Sequence, residues 1–289
     1  MVFRMKSYSF TAKTMLLFFV VVTLIHTGMV QATPLDVPYV HQVYDMPDWF
    51  DGRYSCGATS VVMVLAYYGV LPEWPINSSN PYQHTSIYGA YVCGIFKVGD
   101  YTFDQKALDA SRTRYGRGVH GYVYIPGSGA SWSKMAEVFR IFGFEAYVDT
   151  TPTWEELVEE LDKGHPVIIS TQLTSSGHIV VAVGYMPNRS VIVNDPAGDL
   201  NRGKYFNYYG KGVVYDWPGV DNGHVNLNKV KAFIIVHPTS NIKQAQPVKL
   251  VQEDVTTTTS RWTTIMFIVV VVAVMGLMVF SLAREKNRI

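Results

Sequence analysis

The chain lacks a charge bias and has few cysteines. Lys and Arg total 24 against 23 Asp and Glu, a net charge of +1 over 289 residues. No Lys/Arg stripe interrupted by aromatics runs along it, so the electrostatic footprint of a nucleic-acid binder is missing. No repeat recurs at a solenoid-like period, and no set of His, Cys and acidic residues has metal-ligand spacing. One stretch, Gly198 to Lys204, has the outline of a phosphate loop. Tyr205 stands where the hydroxyl ligand should be, however, and a strand-like stretch follows in place of a helix, so no nucleotide is expected. Nothing here asks for a metal or another cofactor. Cys56 and Cys93 are the whole cysteine complement. What is plentiful is core-forming material, with 48% hydrophobic and 13% aromatic residues, ample for a packed fold.

Two apolar segments bracket the chain. Residues 1–32 carry Arg4, Lys6 and Lys13, then an apolar run, then Val30-Gln31-Ala32, the basic, apolar and small-residue order of a secretory signal. Residues 265–282 are uncharged and as long as a membrane-spanning helix. Arg284, Lys286 and Arg288 follow, so residues 283–289 are expected as a cytoplasmic tail. Residues 238–264 are polar and threonine-rich and read as a stalk. The expected layout is a single-pass protein of the cell membrane with one extracytoplasmic domain over residues 33–237.

Within that domain, punctuation marks the elements. Tyr54 to Gly69 reads as a helix start at Cys56, an apolar body and a glycine stop. Residues 71–130, rich in Pro, Gly, Tyr and Ser, read as an irregular insertion, with a short helix near 107–114. Ser131 caps a second helix that Gly143 ends. Thr153 and Glu156 have capping-box spacing ahead of the apolar stripe Trp154, Leu157, Val158 and Leu161, and Gly164 stops that helix. Strands are expected at 144–148, 166–171, 178–185, 190–195, 205–209 and 231–236, the third and fourth forming a hairpin. The class is α+β.

Chemistry gathers around Cys56. A thiol at a helix N-terminus faces unpaired N–H groups and the positive end of the helix dipole, which favours the nucleophilic thiolate. A thiol nucleophile needs a base, a group that orients the base, and oxyanion donors. His178 opens a strand behind Gly177 at what would be a cleft edge. Counted across the hairpin, Asp195 falls nearly opposite His178, and alternation lets one of Asp195 and Asn194 face the ring; Asp195 is the choice and Asn194 the fallback. Gln42, upstream, has an amide suited to the oxyanion beside the Cys56 backbone N–H.

Taken together, Val37-Pro38-Tyr39-x-x-Gln42, Cys56-Gly57-Ala58-Thr59-Ser60 leading a helix to Tyr67-Tyr68-Gly69, Gly177-His178-Ile179-Val180-Val181 and Val193-Asn194-Asp195-Pro196 resemble the papain-like cysteine peptidases related to the bacteriocin-processing, double-glycine-leader peptidases. The resemblance runs over roughly 37–236. It implies a papain-like fold, with a helical part carrying the nucleophile on an antiparallel sheet that carries His and Asp. It also implies Cys56 as nucleophile, His178 as general base and acid, Asp195 as orienting residue, Gln42 as oxyanion donor, and a peptide or protein substrate cleaved at a peptide or isopeptide bond. Related processing peptidases sit inside cells on export transporters, so the leader-peptide substrate does not carry over. Two alternatives stand beside hydrolysis. One is acyl transfer from the same site; the other is a non-catalytic peptide-binding or adhesion module with a Cys56–Cys93 disulfide.

Overall fold

The computed structural model describes residues 33–104, 123–125 and 129–250. The expected signal segment, the helix near 107–114, and the span 265–282 with its tail lie outside the described residues. Among the described residues, no helix is long and apolar enough to cross a membrane.

The first helix, α1 (Cys56–Tyr67), is buried from Gly57 to Ala66 and hydrophobic on every side, which suits a helix surrounded by core rather than one lying on a surface. It ends where Gly69 adopts φ 68°, a conformation that favours glycine. The described part of the next stretch is not irregular. It builds β1 (Ile76–Ser78), β2 (His84–Ser86), α2 (Ala90–Cys93), β3 (Gly94–Val98), β4 (Tyr101–Asp104) and the short pair β5 (Tyr124–Ile125) and β6 (Gly129–Ala130). Its aromatics supply the reason: Tyr91, Phe96 and Phe103 are essentially fully buried, and Phe96 stacks on Phe103 at 4.6 Å between ring centroids. Each such ring removes enough apolar surface to contribute roughly 1.5–3 kcal/mol.

The remaining elements follow the expected punctuation closely. In α3 (Trp132–Ile141), the Ser131 hydroxyl accepts from the Lys134 N–H at 3.4 Å. In α4 (Trp154–Asp162), the Thr153 hydroxyl accepts from the Glu156 N–H at 3.1 Å. Gly143 and Gly164 stop these two helices with φ of 94° and 81°. Strands β7 (Glu145–Asp149), β8 (Val167–Thr171), β9 (His178–Tyr185), β10 (Ser190–Asn194), β11 (Val213–Asp216) and β12 (Val230–His237) make one six-stranded sheet in the order β11-β10-β9-β8-β12-β7, antiparallel at every pairing. Core covers both faces. Ile168, Ile179, Val181, Ile192 and Ile234 join the side of α1 and α3, whereas Ile169, Val180, Val191, Val193 and Phe233 join the side of α4.

Two sequence expectations are corrected here. Residues 205–209 form a loop, and the sheet's edge strand lies further on, at β11. Phe206 takes a φ of 61°, and the Asn207 amide donates to the Asp199 and Lys204 carbonyls, so the backbone closes on itself instead of joining a ladder. The stretch 238–250 is not free stalk either. Lys243 N–H donates to the Phe142 carbonyl and Ala245 N–H to the Val70 carbonyl, and Ala245 is buried. Strand β13 (Gln246–Leu250) then pairs with β3, giving a three-stranded sheet β13-β3-β4. Polar composition concealed this because a strand pairs through its backbone, whatever side chains it carries. The compact unit therefore runs to Leu250 rather than to residue 237.

Candidate active site

Cys56 is the first residue of α1 and Ser55 its N-cap. The Ser55 side chain does not cap the helix. Its hydroxyl donates instead to the Gly52 carbonyl at 2.9 Å, which also receives the Ser55 N–H at 3.0 Å and the Gln42 Nε2–H at 2.9 Å. One carbonyl thus gathers the Gln42 amide and the residue preceding the thiol. Gly52 is needed for this approach, since a Cβ there would stand 1.6 Å from the Gln42 carbonyl oxygen.

The Gln42 side chain is 2% exposed, and its Oε1 is buried without a hydrogen-bond partner. The backbone N–H of Gln42 donates to the Pro196 carbonyl at 2.8 Å, tying this segment to the turn that follows Asp195. Just before it, buried His41 accepts the Val43 and Tyr44 N–H groups on Nδ1, and burial lowers its pKa to about 3. His41 is therefore a neutral turn-former at any ordinary pH.

The helix start packs against the strand that carries His178. A Cβ at Gly57 would stand 3.3 Å from Val123 and Ala130 and 3.4 Å from Ile179, a close fit of the start of α1 against β9. His178 begins β9 and is itself buried. Its Nε2 lies 2.7 Å from Asp195 Oδ1, and Cys56 is near enough to act on the charge of the ring. With Nε2 engaged by the carboxylate, Nδ1 is the nitrogen left for sulfur. Burial alone would lower the pKa of His178; the Asp195 charge and hydrogen bond, with a further contribution from Cys56, outweigh it and push the imidazole up to about 10.

Asp195 is fully buried and well satisfied. Oδ1 accepts from His178 and from the Ala197 N–H at 2.9 Å, while Oδ2 accepts from the Tyr215 hydroxyl at 2.9 Å. Two further tyrosines complete the surround: the Tyr39 hydroxyl donates to the Asp195 carbonyl at 3.0 Å, and the Tyr205 ring lies 4.9 Å from the His178 ring. Asn194 is spent elsewhere. Its amide N–H donates to the Val37 carbonyl at 2.9 Å, and its oxygen accepts the Gly212 N–H at 3.1 Å. Alternation had left Asp195 and Asn194 as rivals for the imidazole, and the structure puts Asp195 against it. The route differs from simple opposition across the hairpin, because β10 carries a register shift between Ile192 and Val193 and Asp195 lies just beyond the strand, its N–H on the Gly210 carbonyl.

Cys93 belongs to the core. It is buried in α2, its thiol sits 3.7 Å from the Gly89 carbonyl, and burial pushes its pKa far up. No disulfide joins Cys56 and Cys93 in the structure, against the disulfide alternative. They lie on different helices, and Cys93 points into the core. Sequence reading missed Tyr215, which had no motif around it, and took Tyr205 for a sheet residue.

The model of the family described as Peptidase_C39 like matches residues 34–220. Among solved structures, the chain is similar to a double glycine motif protease from an AMS/PCAT transporter in complex with its leader peptide, at 18% identity, covering 72% of this chain and 96% of that one with a TM-score of 0.36. It is also similar to a C39-like peptidase from Bacillus anthracis, at 17% identity, 72% and 98% coverage and a TM-score of 0.38. A third is the peptidase domain of Streptococcus ComA, at 16% identity, 68% and 99% coverage and a TM-score of 0.35. No curated protein matches the chain.

Proposed function

The chain belongs to the Peptidase_C39-like family of cysteine-type peptidases, with an α+β papain-like fold, and we propose that it hydrolyses peptide or isopeptide bonds outside the cell membrane through Cys56, His178, Asp195 and Gln42. The observation that carries the reading is one imidazole bonded to a buried carboxylate at 2.7 Å and electrostatically coupled to the thiol at a helix start. In this reading, His178 takes the Cys56 proton, and the sulfur attacks the substrate carbonyl. As the tetrahedral intermediate collapses to a thioester, His178 returns the proton to the leaving amine. Water activated by the same imidazole then releases the acid. Asp195 keeps the ring oriented and stabilises its charge.

Gln42 and the Cys56 backbone N–H would hold the oxyanion. One Nε2 hydrogen of Gln42 serves the Gly52 carbonyl, and the amide has a second to offer. Gln42→Ala is expected to lower kcat by about 10²-fold with a much smaller change in KM, the mark of a donor used mainly in the transition state. An equal rise in KM with kcat unchanged would remove Gln42 from that role.

For placement, the support is the basic, apolar and small-residue order of residues 1–32 together with the uncharged run 265–282 followed by Arg284, Lys286 and Arg288. Residues 251–264 then serve as the connecting stalk. Chemistry and placement are tested together by a membrane-impermeant peptide electrophile applied to intact cells and mapped by mass spectrometry. Cys56 should be modified and Cys93 spared. Labelling of Cys56 only after permeabilisation would overturn the topology, and no labelling of Cys56 in either case would overturn the nucleophile.

A further inference from the structure

Helix α4 ends in a way that assembles a second cluster. Gly164 turns the chain with φ 81°, and the His165 N–H returns to the Glu160 carbonyl at 2.9 Å, a helix stop that brings the His165 ring back beside the Glu160 side chain. From the sheet, His237 at the last position of β12 reaches the same carboxylate. His165 Nδ1 lies 3.0 Å and His237 Nε2 2.7 Å from one oxygen, Glu160 Oε2, and the three ligand atoms all lie within 4.8 Å of one another. The spacing of 160, 165 and 237 gave no sign of this in the sequence.

We propose that Glu160, His165 and His237 form a binding site for a divalent transition ion of the zinc class, apart from the peptidase site. Two imidazole nitrogens and one carboxylate oxygen are a donor set this class of ion takes. A tetrahedral ion with bonds of about 2.0–2.1 Å sets its ligand atoms about 3.3 Å apart, so each O···N separation here opens by roughly 0.3–0.6 Å, while the two imidazole nitrogens, within 4.8 Å of each other, adjust to the same spacing. The other carboxylate oxygen, Oε1, has Lys163 Nζ at 3.6 Å, which leaves Oε2 as a monodentate ligand. Glu160 is buried while both rings are partly exposed, so a fourth position opens to solvent for water. The site lies at the start of β8, and His178 pairs with Thr171 at the other end of that strand. Six residue steps of about 3.3 Å put the two roughly 20 Å apart. The ion braces the end of α4 to the end of β12 and has no part in the thiol chemistry.

The test uses the full chain carrying Cys56→Ala, which removes a thiolate that would compete for the metal. Titrated with Co²⁺, this protein should take one equivalent and show the visible absorption of a tetrahedral nitrogen–oxygen site without a sulfur charge-transfer band. Glu160→Gln, His165→Gln and His237→Gln should each weaken binding by at least about 10-fold. Independently of any variant at the cluster, Zn²⁺ should protect His165 and His237, mapped by mass spectrometry, from diethyl pyrocarbonate. Failure to bind Co²⁺, undiminished binding in the variants, or unprotected rings in the presence of Zn²⁺ would each overturn the proposal.

Discussion

Replacing Cys56 by alanine will lower peptide turnover by roughly 10⁴-fold or more while shifting the unfolding free energy by no more than about 1 kcal/mol. The asymmetry follows from where the sulfur sits. Cys56 is only half-buried at the first position of α1, and the helix is held in place by the fully buried residues behind it, not by the thiol. His178 keeps its bond to Asp195 when the sulfur is gone. Cys93→Ala should do the reverse. It removes a fully buried thiol from the core that also holds Tyr91 and Phe96 and costs about 1 kcal/mol, yet it sits on α2 and not on the elements that carry Cys56 and His178, and should leave kcat/KM unchanged. Steady-state rates with a fluorogenic peptide and urea unfolding of both variants separate the two roles. Retained turnover in Cys56→Ala would end the assignment.

The contrast between the two cysteines also indicates what the sequence reveals and what it hides. Caps and stops are local: Ser131, Thr153 with Glu156, and the glycines at 143 and 164 each act within one turn of the chain, so α3 and α4 were legible within a residue or two. The β9–β10 hairpin was legible from alternation, but its register shift was not, because a bulge depends on packing rather than on pattern. Residues 205–209 show the same limit. Aromatic spacing suits a strand, while the positive φ of Phe206 is imposed by the Asn207 amide and the close approach at Gly198, neither of which is a strand signal. The insertion looked irregular because its Pro and Gly punctuation is dense, though Tyr91, Phe96 and Phe103 were available to build a core. The pairing of β13 with β3 joins residues about 150 apart and leaves no local trace. Motif order selected the candidate catalytic residues, but the role of Tyr215 beneath Asp195 depends on an edge strand whose position the sequence did not define.

Asp195→Asn is expected to reduce kcat/KM by about 10²–10⁴-fold and to move the alkaline limb of its pH profile downward. In the native protein, His178 has its pKa raised from 6.5 to about 10, burial opposing the charge and Asp195 overriding burial. The imidazolium that protonates the leaving amine therefore persists until about pH 10, where activity should fall. The nearby phenols of Tyr205 and Tyr215 are pushed above the ordinary tyrosine range by burial and then by the Asp195 charge, so neither titrates within this window. Stability follows the same proton. Because the folded pKa lies above the unfolded one, the stabilisation is fully present below about pH 6.5 and is lost as the pH rises through about 10. In the asparagine variant the charge that holds the proton is gone while burial remains, so the decline in unfolding free energy between those limits should flatten. The neutral amide also leaves the Tyr215 hydroxyl, the Ala197 N–H and His178 competing for one oxygen, a loss of about 3–5 kcal/mol near neutral pH. Urea unfolding across pH 6–10 and pH–rate profiles of both proteins measure the two effects together, and an alkaline limb that does not move in Asp195→Asn would show that this carboxylate does not set the charge of the imidazole.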